Sequence, residues 1–329
     1  MNLNLLEECA GAKRIGISGH VRPDGDCLGA CLGLWQYLGK CFPAANVQVF
    51  LEKPADIFKS MKGFGEIDTD FPEEAAFDVF FALDTSVDRL GDAEKYFKAA
   101  GKTINIDHHV SNPGGGHINV VRPDVGSTCE IIYDLIDLGQ LDRDMAQVLY
   151  VGMIHDTGVF QYSNTTPATL EKAAKLISYG FDFPNLILET FYQKSYVQAQ
   201  VMGRALMESI RFLQGACIVS AIDKKTMEFY NVGPKDLDGI VNQLRNIEGI
   251  DCAIFMYETG TMEYKVSMRS SEKVDVAEVA AYFGGGGHTK AAGCNMTGTF
   301  HDCVNNLSLH IEKALKKWEA EHDERDNSH

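Results

Sequence analysis

Four short runs in the first half of the chain constrain its fold most: RIGISG (14–19), VQVFL (47–51), FDVFFAL (77–83) and TINI (103–106). They are β-branched or aromatic and almost continuously apolar, with none of the alternation expected of a strand that has one face in water. Such runs read as strands buried on both faces, the signature of a parallel sheet covered by helices. The segments between them fit that reading. DCLGACLGLWQYLGKC (26–41), STCEIIYDLIDLG (127–139) and DRDMAQVLYVGMI (142–154) carry helical spacing, the last with an acidic start. The expected fold is therefore α/β with a parallel sheet. Further along, 185–212 is helical in pattern and reads as a connection. ACIVSAI (216–222), DCAIFMYE (251–258) and MEYKVSMRS (262–270) then read as strands, with helices around 235–247 and 275–283, a smaller α/β domain. With 329 residues there is length for two domains. The expected boundaries are 1–185, a helical linker over 186–212, and 213–329. The tail from 312 onward reads as a charged, solvent-facing helix that frays.

Lys plus Arg number 30 against 46 Asp plus Glu, a formal charge of −16. That balance excludes long duplex DNA as a partner, because affinity there comes from neutralising many phosphates. A short anionic ligand in one local pocket is compatible with it. No stretch is long and apolar enough for a membrane span, and the N-terminus lacks the charge and apolar pattern of a secretory signal, so a cytoplasmic protein is expected. The nine cysteines are scattered and form no C-x-x-C pair. They read as small buried hydrophobes in a reducing compartment, not as a disulfide framework.

Several strand or helix readings end in metal-ligand residue types. The run 14–19 leads into His20-Val21-Arg22-Pro23-Asp24-Gly25-Asp26; 77–83 leads into Asp84-Thr85-Ser86; 103–106 leads into Asp107-His108-His109; and 142–154 leads into His155-Asp156. In an open parallel sheet the carboxyl ends of the strands share one rim, so these groups can converge although they are far apart in sequence. Oxygen-rich ligation with two imidazoles suits Mn²⁺, Mg²⁺ or Fe²⁺. So many carboxylates repel one another unless cations neutralise them, and two metals about 3.5–4 Å apart sharing one carboxylate is the natural count, an arrangement suited to phosphoester hydrolysis. Each motif also has a plainer reading. Asp24-Gly25-Asp26 can be a turn that caps helix 26–41, Asp84 can cap a strand end, and Tyr162 in the loop 161–166 can be rim packing instead of a contact to ribose or base.

The quartet HVRPDGD (20–26), LDTS (83–86), IDHH (106–109) and GMIHDTGVFQYSNTT (152–166) resembles the four signature motifs of the DHH phosphoesterase superfamily. SMRS (267–270) with GGGGHTKAAGC (284–294) is similar to the DHHA1 domain, and the length is similar to the short bacterial nanoRNase/pAp phosphatase branch. The resemblance implies that His20 and Asp24 hold a first Mn²⁺, that Asp26, His108 and Asp156 hold a second, and that Asp84 bridges them. It implies a metal-activated water as nucleophile, His109 beside the scissile phosphate, and Asp107 orienting a ligand histidine, with His155 left as structural. Arg269, Ser270, Gly285, Gly286, Gly287 and His288 would grip a terminal phosphate, although the four glycines taken alone read as a flexible loop. Closure of the two domains over substrate is expected with such a division of labour. The implied activity is Mn²⁺-dependent hydrolysis of short RNA (nanoRNA, pApA) to 5′-mononucleotides and dephosphorylation of 3′-phosphoadenosine 5′-phosphate (pAp). Inorganic pyrophosphatase or exopolyphosphatase, single-strand DNA exonuclease and a non-catalytic nucleotide-binding module are the alternatives. Pairing into a homodimer is a family habit that no feature of the sequence marks.

Overall fold

The computed structural model describes residues 3–73 and 76–326, and the chain divides into two compact units, Met1–Gln193 and Lys194–His329. The first unit runs α1 (Leu5–Glu8), β1 (Arg14–Ser18), α2 (Gly25–Cys41), β2 (Asn46–Phe50), β3 (Ile67–Asp68), β4 (Val79–Leu83), α3 (Glu94–Ala99), β5 (Lys102–Asp107), β6 (Ile118–Val121), α4 (Thr128–Leu135), α5 (Arg143–Asp156), α6 (Pro167–Ile177) and α7 (Phe183–Ile187). Its six strands lie in the order β3-β2-β1-β4-β5-β6 and every pairing is parallel. The four apolar runs form four of these strands. The other two, β3 and β6, are the edges, only partly buried and without an apolar run; β2, beside β3, is buried only over Val49 and Phe50, so the run 47–51 is not buried throughout on both faces as expected.

All five residues of β4 are buried, and they feed two cores in alternation. Val79, Phe81 and Leu83 join Ile15 and Ile17 beneath residues of α2, α4 and α5. Phe80 and Ala82 face the other way into a cluster with Phe50, Phe77, Tyr96 and Phe97. Burying each large side chain contributes about 1.5–3 kcal/mol, so both faces favour this register and no other. Gly29 lets α2 and α5 approach closely: a Cβ there would lie 2.5 Å from the Val148 carbonyl oxygen. That contact fixes the distance between the two helix ends that carry Asp26 and Asp156.

The second unit runs α8 (Tyr196–Met207), β7 (Ile210–Phe212), β8 (Cys217–Ile222), α9 (Lys224–Tyr230), α10 (Ile240–Arg245), β9 (Cys252–Gly260), β10 (Glu263–Ser270), α11 (Val276–Tyr282), β11 (Gly286–His288), β12 (Ala291–Thr297) and α12 (Phe300–Asp326). The sheet order is β11-β12-β10-β9-β8-β7. Only β8 and β9 pair in parallel. One face packs on α11 and α12, the other on α8 and α10.

Three expectations differ from what is observed. The connecting segment 185–212 is not one helix: α7 gives way to a π-helical turn over Leu188–Tyr192, and α8 starts afresh at Tyr196. Ser195 and Gln198 form a reciprocal capping box, with Ser195 Oγ accepting from Gln198 N at 3.2 Å and Gln198 Oε1 from Ser195 N at 2.9 Å; this starts a new helix inside an apparently continuous pattern. The division between the units falls within this segment. The helix expected over 235–247 splits into a 3₁₀ turn, Pro234–Leu237, and α10, because Gly239 takes a left-handed conformation. Finally, Gly286 and Gly287 belong to an edge strand and not to a loop. The charged tail is helical to Asp326; its last three residues, like Met1 and Asn2, lie outside the described residues. Among the described residues no helix is long and apolar enough to cross a membrane.

Candidate metal centre

The strand order places the site. From β1 the chain winds outward to β2 and β3, then returns to the other side of β1 for β4, β5 and β6. The loops after β1 and β4 therefore diverge at the switch point, where the carboxyl ends of a parallel sheet open a crevice. Register does the rest. Ser18 pairs with Ala82 and Leu83 with Ile106, so His20, Asp84 and Asp107 leave three adjacent strands at one level. Asp26 arrives on the first turn of α2 and Asp156 on the last residue of α5.

Asp84 is at the middle of the cluster, 1% exposed and in a left-handed backbone conformation, φ 56°. Its two oxygens face different imidazoles: Oδ2 lies 3.5 Å from His20 Nε2 and Oδ1 lies 3.6 Å from His108 Nε2. Asp24 also uses its two oxygens separately. Oδ1 accepts from the N–H groups of Asp26 and Cys27 at 3.1 Å each and caps α2, while Oδ2 sits 3.6 Å from His20 Nε2. The cap reading of Asp24 is thus realised with one oxygen, while the other faces His20. Around His108 Nε2 lie Asp156 Oδ2 at 2.8 Å and Asp26 Oδ2 at 4.0 Å. Among the described residues three groups have mutually close ligand atoms, each within 4.8 Å: His20–Cys27–Asp84, Asp26–His108–Asp156 and Asp84–Asp107–His108–His109; Asp24 joins none of them and approaches only through His20.

Electrostatics calls for cations here. Burial, reinforced by Asp26, holds the Asp84 carboxyl well above the ordinary range, and burial with the Asp156 charge pushes Asp26 up to about 7. Burial pulls the imidazoles down, yet Asp24 and Asp84 hold His20 up at about 12, and Asp156 and Asp26 hold His108 at about 10. Burial also raises Asp24, but His20 outweighs it and holds Asp24 at about 2. The cluster thus gathers positive charge wherever it can, as protons when no metal is present. Nor is the contact between His108 and Asp156 a paired hydrogen bond. His108 Nε2 is buried and only 2.8 Å from Asp156, yet it has no aligned partner. Donors that converge without pairing fit a cation between them, and oxygens with two imidazoles are the set for a hard divalent ion. Cys27 Sγ is within reach of His20 and Asp84, but burial keeps that thiol protonated.

Asp107 stands behind this cluster. Its Oδ1 accepts from His108 N at 2.7 Å, His109 N at 3.1 Å and His109 Nδ1 at 2.8 Å. The ring it orients is that of His109, not the ligand candidate His108. Because a carboxylate only accepts, Nδ1 of His109 carries hydrogen and Nε2 is left for another partner. His155 packs its ring between Phe58 and Phe191, with centroids 5.0 and 5.5 Å away, and burial lowers its pKa.

Three polar residues with no motif signature complete the site. Thr128 N–H and Cys129 N–H, at the start of α4, donate to Asp26 Oδ2 and Oδ1 at 2.6 and 2.9 Å, and Thr128 Oγ1 donates to Asp84 Oδ1 at 3.0 Å. Asn105 and Asn112 form a buried amide pair beside Thr85 and Asp107. A sequence reader has one cue for Thr128, the Ser127 cap that starts α4, and none for the two asparagines.

In the second unit, Arg269 on β10 and His288 on β11 both pair with Ala291 of the intervening β12. Residues directly opposite share a face, so the two side chains flank a small residue from the same side, about 10 Å apart across the sheet. Gly285 is needed for close approach: a Cβ there would lie 2.2 Å from the Gly293 carbonyl oxygen. Ser270 is buried, its hydroxyl donating to the Thr289 carbonyl at 3.3 Å.

Residues 14–153 match the model of the DHH family N-terminal domain, and residues 214–319 match the DHHA1 domain. The bifunctional oligoribonuclease and PAP phosphatase NrnA of Thermus thermophilus is 32% identical over 291 residues, covering 86% of this chain and 84% of that protein. The Bacillus subtilis protein of the same name is 28% identical over 282 residues, covering 84% and 87%. Among solved structures, an exopolyphosphatase-related protein from Bacteroides fragilis aligns with a TM-score of 0.86 at 26% identity, over 95% of this chain and 96% of that one. The chain therefore belongs to the DHH/DHHA1 phosphoesterase family, and it is a hydrolytic enzyme that depends on divalent metal.

Proposed function

We propose that this protein hydrolyses oligoribonucleotides of a few residues to 5′-mononucleotides and removes the 3′-phosphate of pAp, with Mn²⁺ as its metal. The observation that carries this reading is Asp84, whose two oxygens are turned toward two different imidazoles. One carboxylate so placed can be shared by two cations, with His20 and Asp24 completing one set and Asp26, His108 and Asp156 the other. Cations bound there would neutralise phosphate charge and lower the pKa of a bound water. His109, held through Nδ1 by Asp107, would present Nε2 to the leaving oxygen as a proton donor. Arg269 and His288 would bind a terminal phosphate from one face of their sheet, with Ser270 and Gly285 to Gly287 shaping the strands beneath. A grip on one phosphate favours short substrates, in keeping with the charge of −16. The names of the Thermus and Bacillus relatives support the substrate class. A cytoplasmic location, consistent with nine free thiols, and pairing into homodimers belong to the same proposal.

The test is product analysis with Mn²⁺ and, in parallel, pAp, pApA, a five-residue RNA, long single-stranded DNA, pyrophosphate and polyphosphate. AMP from pAp and pApA and mononucleotides from the RNA, all lost in Asp84→Ala, are expected. In Arg269→Ala, loss of a charge-assisted contact worth about 1.5–3 kcal/mol should raise KM for pAp about tenfold or more. Turnover confined to pyrophosphate, polyphosphate or long DNA would overturn the assignment.

A further inference from the structure

Behind the metal centre lies a buried amide pair that the reaction as proposed leaves unused. Asp84 holds a left-handed backbone, a conformation that aspartate tolerates better than most residues but that still costs free energy unless neighbouring groups hold it. The next carbonyl, that of Thr85, accepts two side-chain amides, from Asn105 Nδ2 at 2.8 Å and Asn112 Nδ2 at 3.0 Å. Asn105 Nδ2 also donates to the Ala82 carbonyl at 3.0 Å, which ties β5 to β4 on both sides of the turn. Asn112 reaches further. Its Nδ2 donates to Asp107 Oδ2 at 2.5 Å and lies 3.0 Å from Asn105 Oδ1, while its Oδ1 accepts from Gly114 N at 2.8 Å. The carboxylate and the carbonyl only accept and the Gly114 N–H only donates, so the orientation of the Asn112 amide is fixed by its neighbours. Asp107 in turn holds the His109 ring. One amide, 8% exposed, therefore links the turn that carries the bridging carboxylate to the carboxylate that sets His109.

We infer that Asn112, braced by Asn105, is a positioning residue of the metal centre, which fixes the backbone at Asp84 and the ring of His109 in one register. This rests on the metal-centre reading above, not on the identity of the substrate. An unsupported turn would let Asp84 relax from its left-handed conformation and swing its oxygens away from His20 and His108, and Asp107 would lose the contact that holds it against His109.

The test is Asn112→Ala, measured by electron paramagnetic resonance titration of Mn²⁺ and by kinetics on pApA at saturating Mn²⁺, with melting temperature as the control for folding. Loss of such an outer contact should weaken Mn²⁺ binding about tenfold to a hundredfold. It should also lower kcat at saturating metal, with KM for pApA nearly unchanged, since the substrate grip is elsewhere. Asn112→Ser, which keeps a small donor, serves if the alanine variant does not fold and should fall between it and the native protein. Asn105→Ala leaves the Asn112–Asp107 contact and should weaken Mn²⁺ binding with a smaller loss of kcat. A folded Asn112 variant with native Mn²⁺ affinity and native kcat overturns the inference. The titration needs no substrate, so failure of the native protein to turn over pApA would count against the proposed substrate and not against this role.

Discussion

At the residue scale, the informative property of the centre is that its carboxylates divide their two oxygens between duties. Asp24 caps α2 with Oδ1 and faces His20 with Oδ2, so the two duties separate by substitution. Asparagine caps a helix about as well as aspartate, whereas alanine in a cap position costs about 1 kcal/mol. Asp24→Asn keeps the cap but loses the charge that faces His20, so in chelator it is expected to melt below the native protein but above Asp24→Ala, and it should bind Mn²⁺ at least about tenfold more weakly, because a charged ligand candidate is gone. Asp24→Ala should show the same metal defect plus a lower melting temperature. Thermal melts in chelator and a Mn²⁺ titration decide it; equal melting of the two variants would remove the cap role. The ligand candidates were legible in the sequence because metal-ligand residue types stand out where they cluster after apolar runs. Thr128, Asn105 and Asn112 were not, since a threonine or an asparagine carries no mark of what it will touch until the chain has folded around it.

At the element scale, the helices that carry ligand candidates are started and spaced by ordinary means. The N-cap of α5 is Asp142, whose Oδ1 accepts from Met145 N at 2.9 Å and whose other oxygen pairs with Lys40 of α2. Partial burial raises its pKa, but Lys40 and the helix N–H groups outweigh that and hold it below the usual carboxylate range. A group depressed in the folded state contributes stability that is complete above its unfolded pKa of about 4 and is lost as pH falls through the lower folded value. Asp142→Ala should therefore lower stability by about 1 kcal/mol at pH 7, the usual loss of a cap. The gap between native and variant melting temperatures should close as pH drops below about 4; a gap independent of pH would show that the charge is irrelevant. Element type was readable where burial was nearly uniform, as in β1, β4 and β5, and in β2, whose apolar run is buried only toward its end. It was unreadable at the half-buried edges β3 and β6 and across Gln193–Ser195, where a local capping box interrupts a pattern that periodicity alone extends.

At the scale of the whole molecule, two cores hold a crevice of mutually repelling groups, and metal should stabilise the first unit by binding its folded state alone. At a Mn²⁺ concentration a hundredfold above the dissociation constant, the gain is about 2.7 kcal/mol, which in a domain of this size raises the melting temperature by about 5–10 °C. Calorimetry with Mn²⁺ against chelator should show that rise in the native protein and little of it in Asp84→Asn; no rise in the native protein would refute a preformed metal centre. The class of sheet and the chemical types of the candidate ligands were legible in the chain alone, because runs of apolar residues and clusters of polar ones are local properties. The tertiary structure alone decided that β1 lies against β4, that Asp84 turns one oxygen to each imidazole, and that Asn112 and Thr128 stand behind it. Strand order and side-chain convergence are set by long-range packing of the two cores, which no window of sequence contains.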